Sequence, residues 1–174
     1  MKLKFFFIAL LYLLSNFTPL IAETKIVYVD MAYLINKSSA GLNISSQLTK
    51  NHKKQTSELK TIEEELKKDE VEIIQQKNII SKEDFEKKIS ALRDKASKYQ
   101  KLRKESNNKF NKKRNQATTQ LIKIIQKIIA EYAENNDISI IVQKKNIVIG
   151  KSNLDITPII LKTLNNDFKT LKIK

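Results

Sequence analysis

The chain has 174 residues, with 33 lysines and arginines against 19 aspartates and glutamates, a net charge of +14 at pH 7, and no cysteine. Without cysteine it can form no disulfide, thiolate metal site or cysteine nucleophile, and its single histidine excludes a histidine cluster. The positive charge favours anionic partners such as nucleic acid, lipid or acidic protein. Only three of the basic residues are arginine, so a general lysine bias accounts for part of this excess.

Residues 1–22 have the features of a secretory signal peptide. Two lysines precede an apolar run, Phe5–Leu14, and a turn-prone segment then leads to Ala22. The run is shorter than the roughly 20 residues of an ordinary transmembrane helix. We therefore predict export with cleavage near Ala22; an uncleaved N-terminal anchor is the alternative.

Residues 23–40 are predicted to form the first part of a small body. Lys25–Asp30 is β-branched and aromatic and predicts a short strand. Met31–Asn36 carries helically spaced apolar residues and predicts a short helix.

Residues 41–120 are predicted to form a long antiparallel coiled-coil helical hairpin, which we call the arm. The segment is rich in lysine and glutamate, has no proline, and carries a thin apolar stripe interrupted by polar residues. Such a stripe can pair two helices but cannot bury them on all sides. Ser81, followed by acidic residues, predicts a helix N-cap and hence a bend near residues 78–82. Residues whose numbers add to about 162 should then be neighbours.

Residues 121–174 are predicted to complete the body. A broad apolar band ends the long helix, and Ile138–Val142 and Ile147–Ile149 predict two strands joined by a lysine-rich turn. Asp155–Pro158 predicts the start of a last helix, with proline at a tolerated position in the first turn. Such a body offers a small core, so we expect an obligate oligomer. The candidate oligomer contacts are Ile26, Tyr28, Ile138, Ile140, Val142, Val148 and Ile156.

Two segments resemble the Skp/OmpH family. The first is Lys25–Met31, followed by Leu34 and by Ser38–Gly41, which is similar to the family's opening strand, short helix and entry into the arm. The second is Asp137–Val142, followed by Leu154–Thr157 and Leu161, which is similar to its closing hairpin and last helix.

The resemblance implies an α+β, predominantly helical fold: a jellyfish-like homotrimer with a small β-rich trimerisation body and three arms. The implied function is that of an ATP-independent periplasmic holdase chaperone. It would bind unfolded outer-membrane β-barrel proteins and prevent their aggregation, with no cofactor and no enzymatic activity.

Basic residues near the root of the predicted arm form a candidate contact surface. Pairing of the two helices brings them together as a basic collar, with Phe110 and His52 in its seam. We hypothesise that it contacts acidic client segments or an anionic lipid or lipopolysaccharide surface; a solvated face is the alternative. The candidate residues are Lys50, Lys53, Lys54, Lys109, Phe110, Lys112, Lys113 and Arg114.

We identify no catalytic, metal-binding or cofactor-binding residue. His52 lies among lysines without a neighbouring carboxylate. Gly150–Ser152 copies the end of a phosphate-binding loop, but Lys145 stands where that motif needs its first glycine. Two rival classes are an exported basic coiled-coil structural protein and a nucleic-acid-binding protein. We expect no nucleic-acid partner, because the chain has an export signal and its basic run lacks interleaved aromatic residues and arginine.

Overall fold

The computed structural model describes residues 24–172, so the predicted signal peptide lies outside the described residues. Most of the described residues are helical, which confirms the predominantly helical fold expected from the sequence. Two short 3₁₀ turns, Lys144–Asn146 and Ser152–Leu154, separate the last elements. The main elements are β1 (Ile26–Val29), α1 (Met31–Lys37), α2 (Ser39–Gln76), α3 (Lys82–Asn135), β2 (Ile140–Gln143) and α4 (Thr157–Asp167).

The two strands form a parallel pair, so the predicted C-terminal hairpin is wrong. β1 pairs with β2 in the register Ile26 to Ile140, and Ile147–Ile149 forms no strand. The other edge of β1 is occupied, because the backbone N–H of Ile156 donates to the carbonyl of Tyr28 at 3.0 Å. The helices between β1 and β2 supply the long crossover that a parallel pair requires.

The body is held together by contacts between the two ends of the described chain. The backbone N–H of Asp30 donates to the buried Thr157 hydroxyl at 2.8 Å, and that of Ser39 donates to Asn165 Oδ1 at 2.7 Å. Near β1, the Lys25 ammonium donates to the Asn136 carbonyl at 2.9 Å. Helix α4 therefore fastens the start of the chain to its end.

The core of the body is formed by one face of each nearby helix. Residues spaced three and four apart on α3 pack against α1 and α4, as expected for an apolar helix face. Full burial of a large aliphatic side chain contributes about 1.5–3 kcal/mol to the stability of the body. The largest fully buried apolar side chains are Leu34, Leu121, Ile125, Ile160 and Leu164.

The junction between α1 and α2 requires a glycine at position 41. The buried hydroxyl of Ser38 caps α2 by accepting from the Gly41 N–H at 3.1 Å, while the last turn of α1 crosses close to it. A Cβ placed on Gly41 would lie 1.8 Å from the Ile35 carbonyl oxygen. Only glycine fits this close approach without displacing backbone.

The arm is the helical hairpin of α2 and α3. The chain reverses at residues 77–81, and Ser81 caps α3 by accepting from the Asp84 N–H at 3.1 Å. Cross-arm contacts join His52 to Phe110, Glu63 to Tyr99 and Asp69 to Lys95, so the paired residue numbers add to 162 or 164. The predicted sum was about 162. The Ser81 cap thus sets where the chain reverses, and regular pairing of the two helices sets which residues face each other.

The Gly41→Ala variant should be destabilised by at least about 2 kcal/mol, as expected for overpacking against fixed backbone. Alanine normally stabilises a helix interior relative to glycine by up to about 1 kcal/mol. The clash at position 41 should therefore make a usually stabilising substitution destabilising. Urea unfolding at a fixed protein concentration measures the change. Ser46→Ala, on the exposed face of the same helix, is the control and should shift the free energy of unfolding by less than about 0.5 kcal/mol. Equal or greater stability of Gly41→Ala would contradict the described junction.

Candidate functional site

The arm buries very few side chains. Within its described length, Ile73 is the only residue between positions 49 and 116 whose side chain is buried. Large apolar residues remain exposed along it, from Leu102 at 44% to Ile79 at 79%. A groove of about 300 Å³ opens midway along the arm. Its apolar lining is Ile62, Leu66, Tyr99 and Leu102. The arm thus presents scattered apolar surface to its surroundings.

The distal half of the arm, residues 58–105, carries alternating charges that pair with one another. Six ion pairs lie there, including Lys67 with Glu63 at 2.9 Å and Lys95 with Asp69 at 2.5 Å. The hydrogen bond from Lys67 lowers the pKa of Glu63, and the Asp69 carboxylate raises the pKa of Lys95. Because these side chains are solvated, each pair adds little stability.

In the proximal half of the arm and the adjoining body, most of the described basic residues have no acidic partner. Residues 31–57 and 106–130 include no aspartate or glutamate and hold ten lysines and arginines. Of these ten, Lys127 alone forms an ion pair within the described part of the chain, with Glu131. On α2 and α3, Lys54 and Lys113 line one groove with Phe110, so cations from the two helices meet there. The collar cations are Lys50, Lys53, Lys54, Lys109, Lys112, Lys113 and Arg114.

The seam of the collar holds an aromatic pair beside a groove. The rings of His52 and Phe110 lie 4.7 Å apart between centroids, tilted by 41°. Next to them is an open groove of about 410 Å³, which we call the collar groove. Its apolar floor includes Ile44, Leu48 and Leu121, and Arg114 stands at its rim. Sequence reasoning missed this groove, although the sum of 162 places Leu48 opposite Arg114.

A second candidate surface is the outer face of the small sheet. The register places Ile26 and Tyr28 on the same face as Ile140 and Val142, while Val27 and Val29 pack into the core. Tyr28 is nevertheless buried, because its ring lies against the loop at Gly150. Ile26 and Ile140 are exposed at 47% and 49%. Neighbouring apolar side chains on a free sheet face are typical of an interaction surface.

The seven candidate oligomer residues do not share one surface. Ile156 is 4% exposed within the core, and Ile138 packs against that core. Both side chains therefore stabilise the protomer itself and do not lie on an oligomer contact surface. Val148 is 97% exposed in the loop that leaves β2. Ile26, Ile140 and Val142 share the outer face of the sheet, whereas Tyr28 on that face is buried beneath the loop at Gly150.

Residues 24–172 contain neither a candidate metal cluster nor a candidate membrane span. Between positions 24 and 172, no cluster of three or more histidine, aspartate, glutamate or cysteine residues has the arrangement to hold a metal ion. Nor does any helix in that range combine the length and the apolar character needed to cross a bilayer.

Asp155 forms an ion pair with Lys144 at 3.4 Å. Partial burial of the Asp155 carboxylate acts to raise its pKa. Hydrogen bonds from Thr157 and the nearby Lys144 outweigh that burial, so the net pKa is lowered.

Comparison with known proteins identifies the family. The model of the OmpH-like outer membrane protein family matches residues 25–164, and the chain belongs to this family. A similar solved structure is that of an OmpH-like protein from Caulobacter crescentus, with a TM-score of 0.81 and 16% sequence identity. The match covers 87% of this chain and 89% of that one, and it shows that the two share a fold. No curated protein gave a match.

The division of charge predicts opposite salt responses in the two halves of the arm. Salt screens attraction in the distal half and repulsion between unpaired cations in the proximal half. Hydrogen exchange at about 50 mM and about 500 mM salt should show greater amide protection near the collar and equal or lower protection in residues 58–72 at the higher salt. A uniform change along the arm would contradict this division.

Proposed function

We propose that this protein is an ATP-independent holdase that binds unfolded outer-membrane β-barrel proteins in the periplasm and prevents their aggregation. It acts without a cofactor or enzymatic step. The observation that carries the proposal is the sparse burial along the arm: between positions 49 and 116 of the described chain only Ile73 is buried, and Val71, Ile74, Ile79 and Leu102 are exposed on two long helices.

A lean arm suits reversible capture of an unfolded chain. Each exposed apolar group offers a weak contact, and several such contacts raise the effective concentration of the next one. A continuous apolar groove of high affinity would favour self-association instead. Because each contact is weak, the client can dissociate from the arm one segment at a time as it folds elsewhere.

Family membership supports the same class of function. The Caulobacter crescentus protein with the similar fold is described as an outer membrane chaperone. The signal peptide expected at residues 1–22, which lies outside the described residues, supports export to the periplasm.

We also propose that three copies assemble through the outer face of the sheet. The small core and the exposed pair Ile26 and Ile140 favour burial against other copies. The number three follows from the family resemblance. Three arms around one body would enclose a client.

Aggregation assays test the holdase function. An unfolded outer-membrane barrel protein diluted from urea should stay clear in the presence of about one trimer per client. A variant with serine at Val71, Ile74, Ile79 and Leu102 should suppress turbidity several-fold less well, because it loses arm contacts. Serine at Tyr33, Leu42, Ile149 and Ile159, four exposed apolar positions outside residues 49–116, is the matched control and should act like the unaltered chain. No suppression by the unaltered chain, together with tight DNA binding, would favour a nucleic-acid-binding protein instead.

Sedimentation tests the assembly. Ile140→Lys places a charge in the centre of the outer sheet face and should shift the protein from oligomer to monomer, because an unpaired charge is costly to bury. Ile159→Lys, at a similarly exposed position on α4, should leave the sedimenting mass unchanged. An unchanged mass for Ile140→Lys would contradict this interface.

A further inference from the structure

The collar groove combines apolar surface with unopposed positive charge. Its floor is formed by aliphatic side chains of α2 and α3 and by the Phe110 ring. Arg114 lies at its rim, is exposed, and forms no ion pair within the described part of the chain. The lining of the groove contains no acidic residue.

The surrounding sequence gives Arg114 no internal partner. The acid-free segments 31–57 and 106–130 enclose the groove, and the first acidic residues along the arm are Glu58 and Glu105. A guanidinium group presents a planar fork of donors that suits a carboxylate with two hydrogen bonds. The groove is therefore electrostatically complementary to a ligand that brings its own carboxylate.

The size and polar rim of the groove indicate a peptide. A volume of about 410 Å³ fits one or two large side chains. Ser45, Thr49 and Thr118 also line it, and their hydroxyls can exchange hydrogen bonds with peptide groups. A lipid acyl chain that covered these hydroxyls would offer them no hydrogen bond, which is costly. An aromatic side chain could pack on Phe110 in the tilted geometry that His52 already adopts.

We infer that the collar groove binds segments of unfolded clients in which an aspartate or glutamate neighbours a large apolar side chain. The inference rests on the proposed holdase function and adds to it a preferred class of client segment. The apolar side chain enters the groove and the carboxylate pairs with Arg114. Because the groove lies where the arm joins the body, it anchors one point of the client while the distal arm makes diffuse contacts.

Short labelled peptides test this inference directly. The probe is a peptide with alternating phenylalanine and glutamate, acetylated and amidated so that every carboxylate is a side chain. Its two comparison peptides replace glutamate with glutamine or phenylalanine with serine. In fluorescence anisotropy at about 50 mM salt, the probe should bind the full chain about tenfold more tightly than either comparison peptide.

Two charge-matched variants separate the groove from the general positive charge. Arg114→Gln should weaken probe binding about tenfold, whereas Lys123→Gln, exposed on α3 outside both the collar and the groove lining, should weaken it less than about twofold. Equal effects of the two variants, or equal binding of the three peptides, would overturn the inference. So would Arg114-dependent binding of phosphatidylglycerol vesicles without peptide binding, which would identify a lipid site.

The aggregation assay keeps the two proposals distinct. If the unaltered chain suppresses aggregation but the peptides show no dependence on Arg114, the groove inference fails and the holdase function stands. If the unaltered chain does not suppress aggregation, the holdase function fails whatever the peptides show.

Discussion

The structure depends on one constraint: the arm cannot stabilise itself by burial. Between positions 49 and 116 of the described chain, the side chain of Ile73 alone is buried, so the two helices are held by capping at Ser81, by scattered cross-arm contacts and by their common root. Exposed ion pairs in the distal half add little. The two arm helices are therefore stabilised mainly by their tertiary contacts with the body, at the root of the hairpin. The same lack of burial leaves apolar groups free to contact another chain.

The body provides that anchoring through contacts distant in sequence. Thr157 and Asn165 bind backbone N–H groups near the start of the chain, and Gly41 allows α1 and α2 to cross in close contact. Its core is small, and the outer face of the sheet leaves Ile26 and Ile140 exposed. These features favour the proposed assembly, because a small body would gain stability by covering the exposed part of its sheet. The charges also differ along the arm: those of the distal half form ion pairs, whereas the collar cations have no acidic partner within the described chain.

The arm could be predicted from sequence because its determinants are local. Helical spacing, the Ser81 cap and the pairing sum depend on residues close together along the chain or on regular geometry. The sheet could not be predicted in the same way. Ile147–Ile149 has the composition of a strand, but the edge of β1 that it would need is taken by the segment at Asp155 and Ile156. Similarly, Ile156 and Ile140 look equivalent in sequence, yet the first lies in the core and the second on the surface. The collar cations were evident from sequence, whereas the groove between them depends on side-chain packing.

Cysteine cross-linking tests the lean hairpin most directly, since the chain has no cysteine of its own. Glu63→Cys combined with Tyr99→Cys replaces two side chains in contact across the arm. Glu63→Cys with Ala91→Cys is the mismatched control, because eight helical residues displace the partner by about 12 Å. The hairpin predicts that a short bismaleimide linker joins the first pair within a single chain much more efficiently than the second pair. Links only between chains, or equal linking of both pairs, would show that α2 and α3 do not fold back on each other as described.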